Sequence, residues 1–385
     1  MLRSLYAGIS GLRSHQTMLD VTGNNISNVN TIGFKAGSVQ FQDTLSQIVQ
    51  NSRAPQPEAG GTNAAQVGLG TQVAGIRTNF AQGSAQATGV ATDLMVAGDG
   101  FFVVRSGAET LYTRNGAFSF DAAGRMVTVD GSLVQGWTAV DGQIGTGRPI
   151  GDISLPVGAT SAAVATGGAQ AAGNLPSEVA VGEQLVRDIT VYDAVGASRQ
   201  LALTFTRTAG GWDVTDGTAT TSLAFTDGKL TGPAAITSGG VTIDLSALTG
   251  FADLRTVALT GQDGRASGSL VSYTISADGS LIGTFSNGAS EVLAQVALAS
   301  FDNPEGLEKA GSSQYRAGAN SGAAAVGAAG VDGMGDLVSG ALEMSNVDLS
   351  QEFTNLIVAQ RGFQANARII TTSDEVLQEL TNLKR

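Results

Sequence analysis

The stretch "LSQEFTNLIVAQRGFQANARIITTSDEVLQELTNL", Leu349–Leu383, decides how the chain is organised. Read at alternating steps of three and four, it gives Leu349, Phe353, Leu356, Gln360, Phe363, Ala367, Ile370, Asp374, Leu377 and Thr381. That period keeps one face of an α-helix in line and forms a heptad seam. Leu380 and Leu383 widen the stripe near its end. Ser345-Asn346-Val347-Asp348 precedes it and supplies N-cap residues, and Glu352 stands where a capping partner can reach back. The spacing predicts a helix of about 35 residues, roughly 50 Å long.

The other end of the chain answers it. Leu2, Leu5, Ile9, Leu12, Gln16, Leu19, Gly23, Ile26 and Asn30 follow the same steps, which predicts a rod of about 27 residues and roughly 40 Å. Either helix alone reads as an ordinary amphipathic helix docked on its own domain. Two long terminal seams read together as a coiled coil between the chain's ends. Gln16, Gln360 and Asp374 are poor residues for a dry seam and suit one that also meets neighbouring subunits or a wet lumen.

Between the ends the period becomes that of β structure. "DLMVAGDGFFVVRSG" holds two short apolar runs, and "LYTRNGAFSFDAAGRMVTVDGSLVQGW" reads as a meander with turns at Asn115-Gly116, Ala123-Gly124 and Asp130-Gly131. The pattern returns late, with turns at Asp278-Gly279 and Asn287-Gly288. Residues near 147–272 shift to Ala, Thr, Gly and Asp and read as a second β domain inserted into the first. Two stretches of low apolar bulk, Asn51–Gln66 and Arg316–Asp336, read as linkers. The expected architecture is mixed α and β and multidomain. A helical domain takes residues 1–34 and 345–385, and a connecting segment takes 35–70. A discontinuous, mainly antiparallel β domain takes 71–146 and 273–344, and a second antiparallel β domain takes 147–272.

Composition limits the chemistry. The 385 residues include no cysteine and one histidine, His15, which excludes disulfides and thiol catalysis and puts most zinc sites out of reach. His15 lies inside the N-terminal apolar pattern and reads as a solvated or packed helix residue. The formal charge of −12 falls entirely in the middle, because the two ends cancel. An acidic middle argues against nucleic acid and anionic membranes as partners. No stretch reaches membrane-spanning length, and Arg13 and His15 interrupt any secretory h-region. Export, if it occurs, uses a route that reads no cleaved signal. "GLGTQVAG" lacks the third glycine of a dinucleotide fingerprint, and no glycine run ends in Lys-Ser or Lys-Thr. The Asp-Gly pairs lack the spacing of a calcium loop, and the few aromatics argue against a sugar groove. Asn25-Ile26-Ser27 matches a glycosylation acceptor but lies on the seam. No catalytic, cofactor-binding or metal-binding residue is assigned.

Four motifs carry a family likeness. "SLYAGISGL" and "GNNISNVNTIGFKA" near the start, "TDLMVAGDGFFVV", "GLEKAGSSQYRAGANSG" and "GALEMSNVDLSQEFTNLIVAQRGFQANARIITTSDEVLQEL" together resemble the bacterial flagellar rod and hook axial proteins, and the hook proteins most of all. Gly37 stands where that family often has a bulkier polar residue, and Ala97 where an acidic one is usual. None of the motifs that carry this likeness falls within residues 147–272. The resemblance implies a self-assembling structural subunit, not an enzyme, without cofactors. It implies a curved, hollow, flexible tube with terminal helices around an export channel and β domains outside. It also implies as partners the distal rod, the hook cap, the hook–filament junction proteins and the flagellar export apparatus. Rod proteins usually lack so large an insertion. A secreted β-rich adhesin, the rival from another class, would show repeats or a signal peptide.

Asn24, Asn25, Asn28 and Asn30 crowd the end of the first helix, followed by Thr31, Gly33 and Phe34. Asparagine side chains compete for local backbone groups and end helices. Gly33 permits the chain to reverse and Phe34 anchors the new direction. Four amides exceed what a cap requires, so some of them are expected to bond to neighbouring subunits.

Overall fold

The computed structural model describes residues 2–55, 60–140, 142–155, 158 and 160–382; Leu383, at the end of the C-terminal stripe, lies outside them. The chain forms two compact units. One comprises Met1–Leu155, Thr274–Leu281 and Val292–Arg385, and the other Pro156–Tyr273 and Ile282–Glu291.

The first unit begins and ends in helices. Helix α1 runs Leu2–Ser27 and α2 runs Leu349–Asn382. Asp348 caps α2: its carboxylate accepts from the N–H groups of Ser350 at 2.8 Å and Gln351 at 3.2 Å. Glu352 does not reach back to the cap but is buried, with one carboxylate oxygen unpartnered. After α1 the chain makes four strands, β1 (Gly37–Asp43), β2 (Ser46–Gln50), β3 (Ala65–Gly68) and β4 (Thr71–Thr78). β1 pairs antiparallel with β4, and β2 with β3. The segment expected merely to connect is therefore a two-stranded ribbon. Likewise Ala325–Ala328 pairs with Ser290–Ser300, and Asp336–Ser339 with Leu94–Ala97, inside or at the edge of the second expected linker. Low apolar bulk misled in both places, because backbone pairing at an exposed edge requires no large side chains.

The β part of this unit is built on Phe101–Ser106, paired with Glu109–Thr113, Leu133–Thr138 and Ser290–Ser300. Phe101, Phe102, Val103 and Val104 are all buried, so the strand is covered on both faces. Phe101, Tyr112, Trp137, Phe301 and Tyr315 form one core, with Tyr112 edge-on to Phe301 at 4.8 Å. Four of the five expected glycine turns take positive φ. Gly116 does not. A side chain there would fall on the carbonyl of Leu94, so close approach and not turn geometry requires glycine. The chain stays with this unit through Leu155, beyond the boundary expected at 147. The cause is local: Asp152 accepts from Arg105 at 2.6 Å and from Gln135 at 2.7 Å, and Gly151–Asp152 pairs with Leu133–Thr138.

The second unit has its own core, centred on Trp212, Phe205, Leu203, Ile243 and Leu245. Leu201, Leu203 and Phe205 are buried while Ala202 is exposed, the alternation of a half-buried strand. Four strands between Gln184 and Leu223 pair antiparallel in order. In the other sheet Gly168–Asn174 lies between two strands and runs parallel to Val241–Thr249, the exception to the antiparallel expectation. This strand comes from the low-complexity alanine stretch. Its small side chains, Ala169 and Ala171, are buried.

Candidate assembly surface: the paired ends and the junction beneath them

Helices α1 and α2 pack against each other through their smallest residues. A methyl group on Gly11 would stand 2.6 Å from the Asn366 amide oxygen, one on Gly8 would stand 3.4–3.5 Å from Ile369 and Ile370, and one on Gly362 would collide with the His15 ring. Ala359 is fully buried. The line of closest approach, Gly8, Gly11 and His15 against Gly362 and Asn366, runs one residue ahead of the apolar line read from the sequence. Small residues let the two backbones approach and turn the larger side chains to the flanks. Leu5, Ile9, Leu12, Leu19, Ile26, Leu356, Ala367 and Ile370 are half-buried there. Leu349, Phe353, Phe363 and Leu377 are exposed, Phe353 by 52%. Of Leu2, only the backbone in α1 is described. His15 is half-buried, with its ring centre 5.7 Å from that of Phe41 of β1 in an edge-to-face arrangement, so it is a packed helix residue.

On its other side α1 carries the ribbon. The Thr71 N–H donates to Ser10 Oγ at 3.2 Å, and Gly70 lies against the same serine. Nearer the helix end, Asn25 is buried and bonds twice to one residue: Nδ2 donates to the Gly37 carbonyl at 2.7 Å, and the Gly37 N–H donates to Oδ1 at 3.0 Å. Its amide acts as a strand partner for β1, so it has no free polar atom for glycosylation or for a neighbour. Gly37 itself is unforced, since an added methyl would meet Val21 at 3.4 Å, Ile76 at 3.6 Å and the Arg77 carbonyl at 3.9 Å, all ordinary contacts.

The other asparagines divide the remaining tasks. Asn28 Nδ2 donates to the Asn24 carbonyl at 2.9 Å and to Asn24 Oδ1 at 3.1 Å, and Thr31 Oγ1 donates to Asn28 Oδ1 at 3.0 Å. These bonds close the helix end. Asn24 and Asn30 are exposed. Gly33 then takes φ +66°, and its N–H donates to the Glu343 carbonyl at 2.8 Å. Only glycine fits, because a side chain would lie 2.6 Å from the Asn115 N–H nitrogen. Phe34 lies under Lys309, whose ammonium sits 5.1 Å from the ring centre. Phe34 also lines a groove of about 600 Å³ with Asn24, Asn28, Val129, Lys309 and Tyr315.

Beneath the junction is a charge cluster that the sequence reading missed. Lys35 Nζ lies 2.7 Å from Glu343 Oε1 and donates to the Ala81 carbonyl at 2.8 Å, and both charged side chains are fully buried. The Gly83 N–H donates to the same carboxylate oxygen at 2.8 Å. Arg114 Nη1 stands 3.5 Å from Glu343 Oε2, with its guanidinium 5.2 Å from the Phe101 ring centre. Burial pulls the Lys35 amine below the usual lysine range, opposed by its hydrogen bond and charge contact with Glu343. Burial likewise lowers Arg114, opposed by Glu343. Asn346 completes the fastening: Oδ1 accepts from the Ala36 N–H at 2.9 Å, and Nδ2 donates to the Asn79 and Ala81 carbonyls at 2.8 and 2.9 Å. The available signal was a single charge set among small and apolar residues, Lys35 in "GFKAG" and Glu343 in "ALEMS".

Among the described residues no group of histidine or acidic side chains could hold a metal ion, and no helix is long and apolar enough to cross a membrane. Three family descriptions match the chain: "Flagella basal body rod protein" over residues 5–35, "Flagellar hook protein FlgE/F/G D1 domain" over 95–170, and "Flagellar basal body rod FlgEFG protein C-terminal" over 338–383. The flagellar hook protein FlgE of Borreliella burgdorferi is 39% identical, with 100% of each chain covered. FlgE of Salmonella typhimurium is 34% identical over 99% of this chain and 100% of its own. The flagellar basal-body rod protein FlgG of Bacillus subtilis is 34% identical over 100% of both. With its full length matched at these identities, the chain belongs to the bacterial flagellar hook protein family.

Proposed function

We propose that the protein is the structural subunit of a flagellar hook and polymerises into a short, curved, hollow tube that joins rod to filament and carries torque around the bend. The observation that carries this is the outward side of α2. Leu349, Phe353, Phe363 and Leu377 remain exposed after α2 has packed on α1, in a chain that matches hook proteins end to end. An apolar stripe left open on one helix calls for further copies of the same helix pair.

In this reading residues 1–34 and 345–385 line the tube around an export channel, and 35–70 brace them from outside. The β domain of 71–146 and 273–344 forms the next layer, with 147–272 inserted into it as the outermost part. Bending requires outer contacts that slide at low cost, and an acidic surface of small side chains provides them. The partners are further copies, then the distal rod, the hook cap, the hook–filament junction proteins and the export apparatus. No catalytic step is assigned. Electron microscopy of the purified protein tests the reading: curved tubes are expected. Straight rods would favour the rod assignment that the FlgG match keeps open, and tubes from a chain trimmed to residues 31–345 would refute the role of the ends.

A further inference from the structure

Among the described residues the ribbon β2–β3 is held at its base, where Thr71 donates to Ser10 of α1, and its strands are not covered. Every residue of both strands is exposed, and Leu45, Ile48, Val49, Val67 and Leu69 all meet solvent, Leu45 by 84%. A two-stranded hairpin is marginal by itself in water, and this one adds an apolar surface that something must cover. It is also nearly free of charge. Residues 44–52 and 60–76 contain no charged side chain. In a chain of formal charge −12, the ribbon is where two copies can touch without like-charge repulsion.

The groove beside the junction has the complementary character. Phe34, Val129 and Tyr315 give it apolar area, and Asn24 and Asn28 give it amides. Its one cation, Lys309, rests on Phe34, and its one anion, Asp130, already accepts from Thr128, Ser132 and Gln314, so an uncharged ribbon leaves both as they are. Its border is the strand Glu308–Gly311, which ends its sheet among the described residues, with Gln314–Arg316 on one side only. An open sheet edge offers main-chain pairing to an incoming strand.

Ribbon and groove cannot meet within one chain. Asn25 pins β1 at the junction end of α1, and Ser10 holds the ribbon where β3 gives way to β4. The ribbon therefore runs away from the groove, leaving α1 about 27 Å from Asn28. A contact between two different surfaces of one body is heterologous, and it generates an open polymer wherever the rotation between copies does not close a ring. We propose that the β2–β3 ribbon of one copy seats in the Phe34–Lys309 groove of the next and pairs with the Glu308–Gly311 edge. This rests on the polymer proposed above and names one of its contacts.

The cysteine-free chain makes the test direct. Full-length copies carrying only Val49→Cys are mixed with copies carrying only Ser312→Cys and oxidised. Covalent dimers on a denaturing gel are expected from the mixture and not from either variant alone. In assembled tubes, the variant with both cysteines should give a ladder of multimers. Dimers absent from the mixture, or tubes in which the double variant stays monomeric, would overturn the pairing while leaving the proposed function standing. The same holds if Val49→Cys links instead to Phe353→Cys on the outward face of α2. Dimers formed by a protein that makes no tubes would support the pairing and refute the proposed function.

Discussion

Exchanging Glu343 for glutamine removes one charge from a site where three side chains meet out of contact with water. Among the described residues Glu343 is the carboxylate that pairs with both cations, 2.7 Å from Lys35 and 3.5 Å from Arg114. Glutamine keeps the shape and can still accept from the Gly83 N–H, so packing and volume barely change. What is lost is the counter-charge to two buried cations. Breaking a buried ion pair by removing one partner costs about 3–5 kcal/mol, a large part of the roughly 5–15 kcal/mol that holds a domain folded. Lys35 has an escape that Arg114 lacks, because it can give up its proton. Its amine is already lowered by burial and, without the opposing effect of Glu343, falls further. In the window between that lowered value and the ordinary lysine value near about 10.4, the unfolded chain binds more protons than the folded one. Stability therefore rises with pH there. Glu343→Gln should be most destabilised below this window and recover part of the loss toward alkaline pH. Urea unfolding of parent and variant from pH 6 to pH 10 measures both quantities. A loss under about 1 kcal/mol at neutral pH, the range of an exposed pair, or a loss independent of pH, would refute the reasoning.

The remaining predictions concern the helix pair and its end. Asn25→Ala leaves the Gly37 N–H and carbonyl unpaired and should destabilise the first unit by about 1–3 kcal/mol, read by urea unfolding; Asn30→Ala, at an exposed position, should not. Replacing Asn28 and Asn30 together by alanine should impair tube formation more than folding of the β units, and normal tubes from that variant would end the idea that these amides serve neighbouring copies. Gly362→Ala would favour an isolated helix by about 1 kcal/mol. Here it should instead lower helicity or assembly, because the added methyl meets the His15 ring, and circular dichroism with pelleting separates the two outcomes.

Helices at both termini and the antiparallel middle were legible because each is a matter of period. Leu5, Ile9 and Leu12 repeat at helical steps, and Leu201, Leu203 and Phe205 alternate. The helices span 26 and 34 residues, close to the lengths that the spacing predicts. Which line on each helix makes the tightest contact was not legible. Gly8, Gly11 and Gly362 register as gaps in a hydrophobic pattern, whereas in packing they are the points of closest approach. The ribbon was hidden for a related reason: an exposed strand such as Ala65–Gly68 has no buried face to impose alternation. The charge cluster joins residues 308 positions apart, a separation that no local pattern reports. Composition also said nothing of Asn346, whose three bonds look from the sequence like part of a cap.

The Lys35–Glu343 contact has a mechanical consequence. Lys35 follows α1 by a few residues and Glu343 precedes α2 by a few, so both covalent crossings between the helices and the β part are riveted together at one point. A pull along either helix is shared between the two crossings, and neither strand of chain can peel away while the other holds. The helix pair is therefore tied to the β part as one piece, and a load on one helix reaches the β part through both crossings.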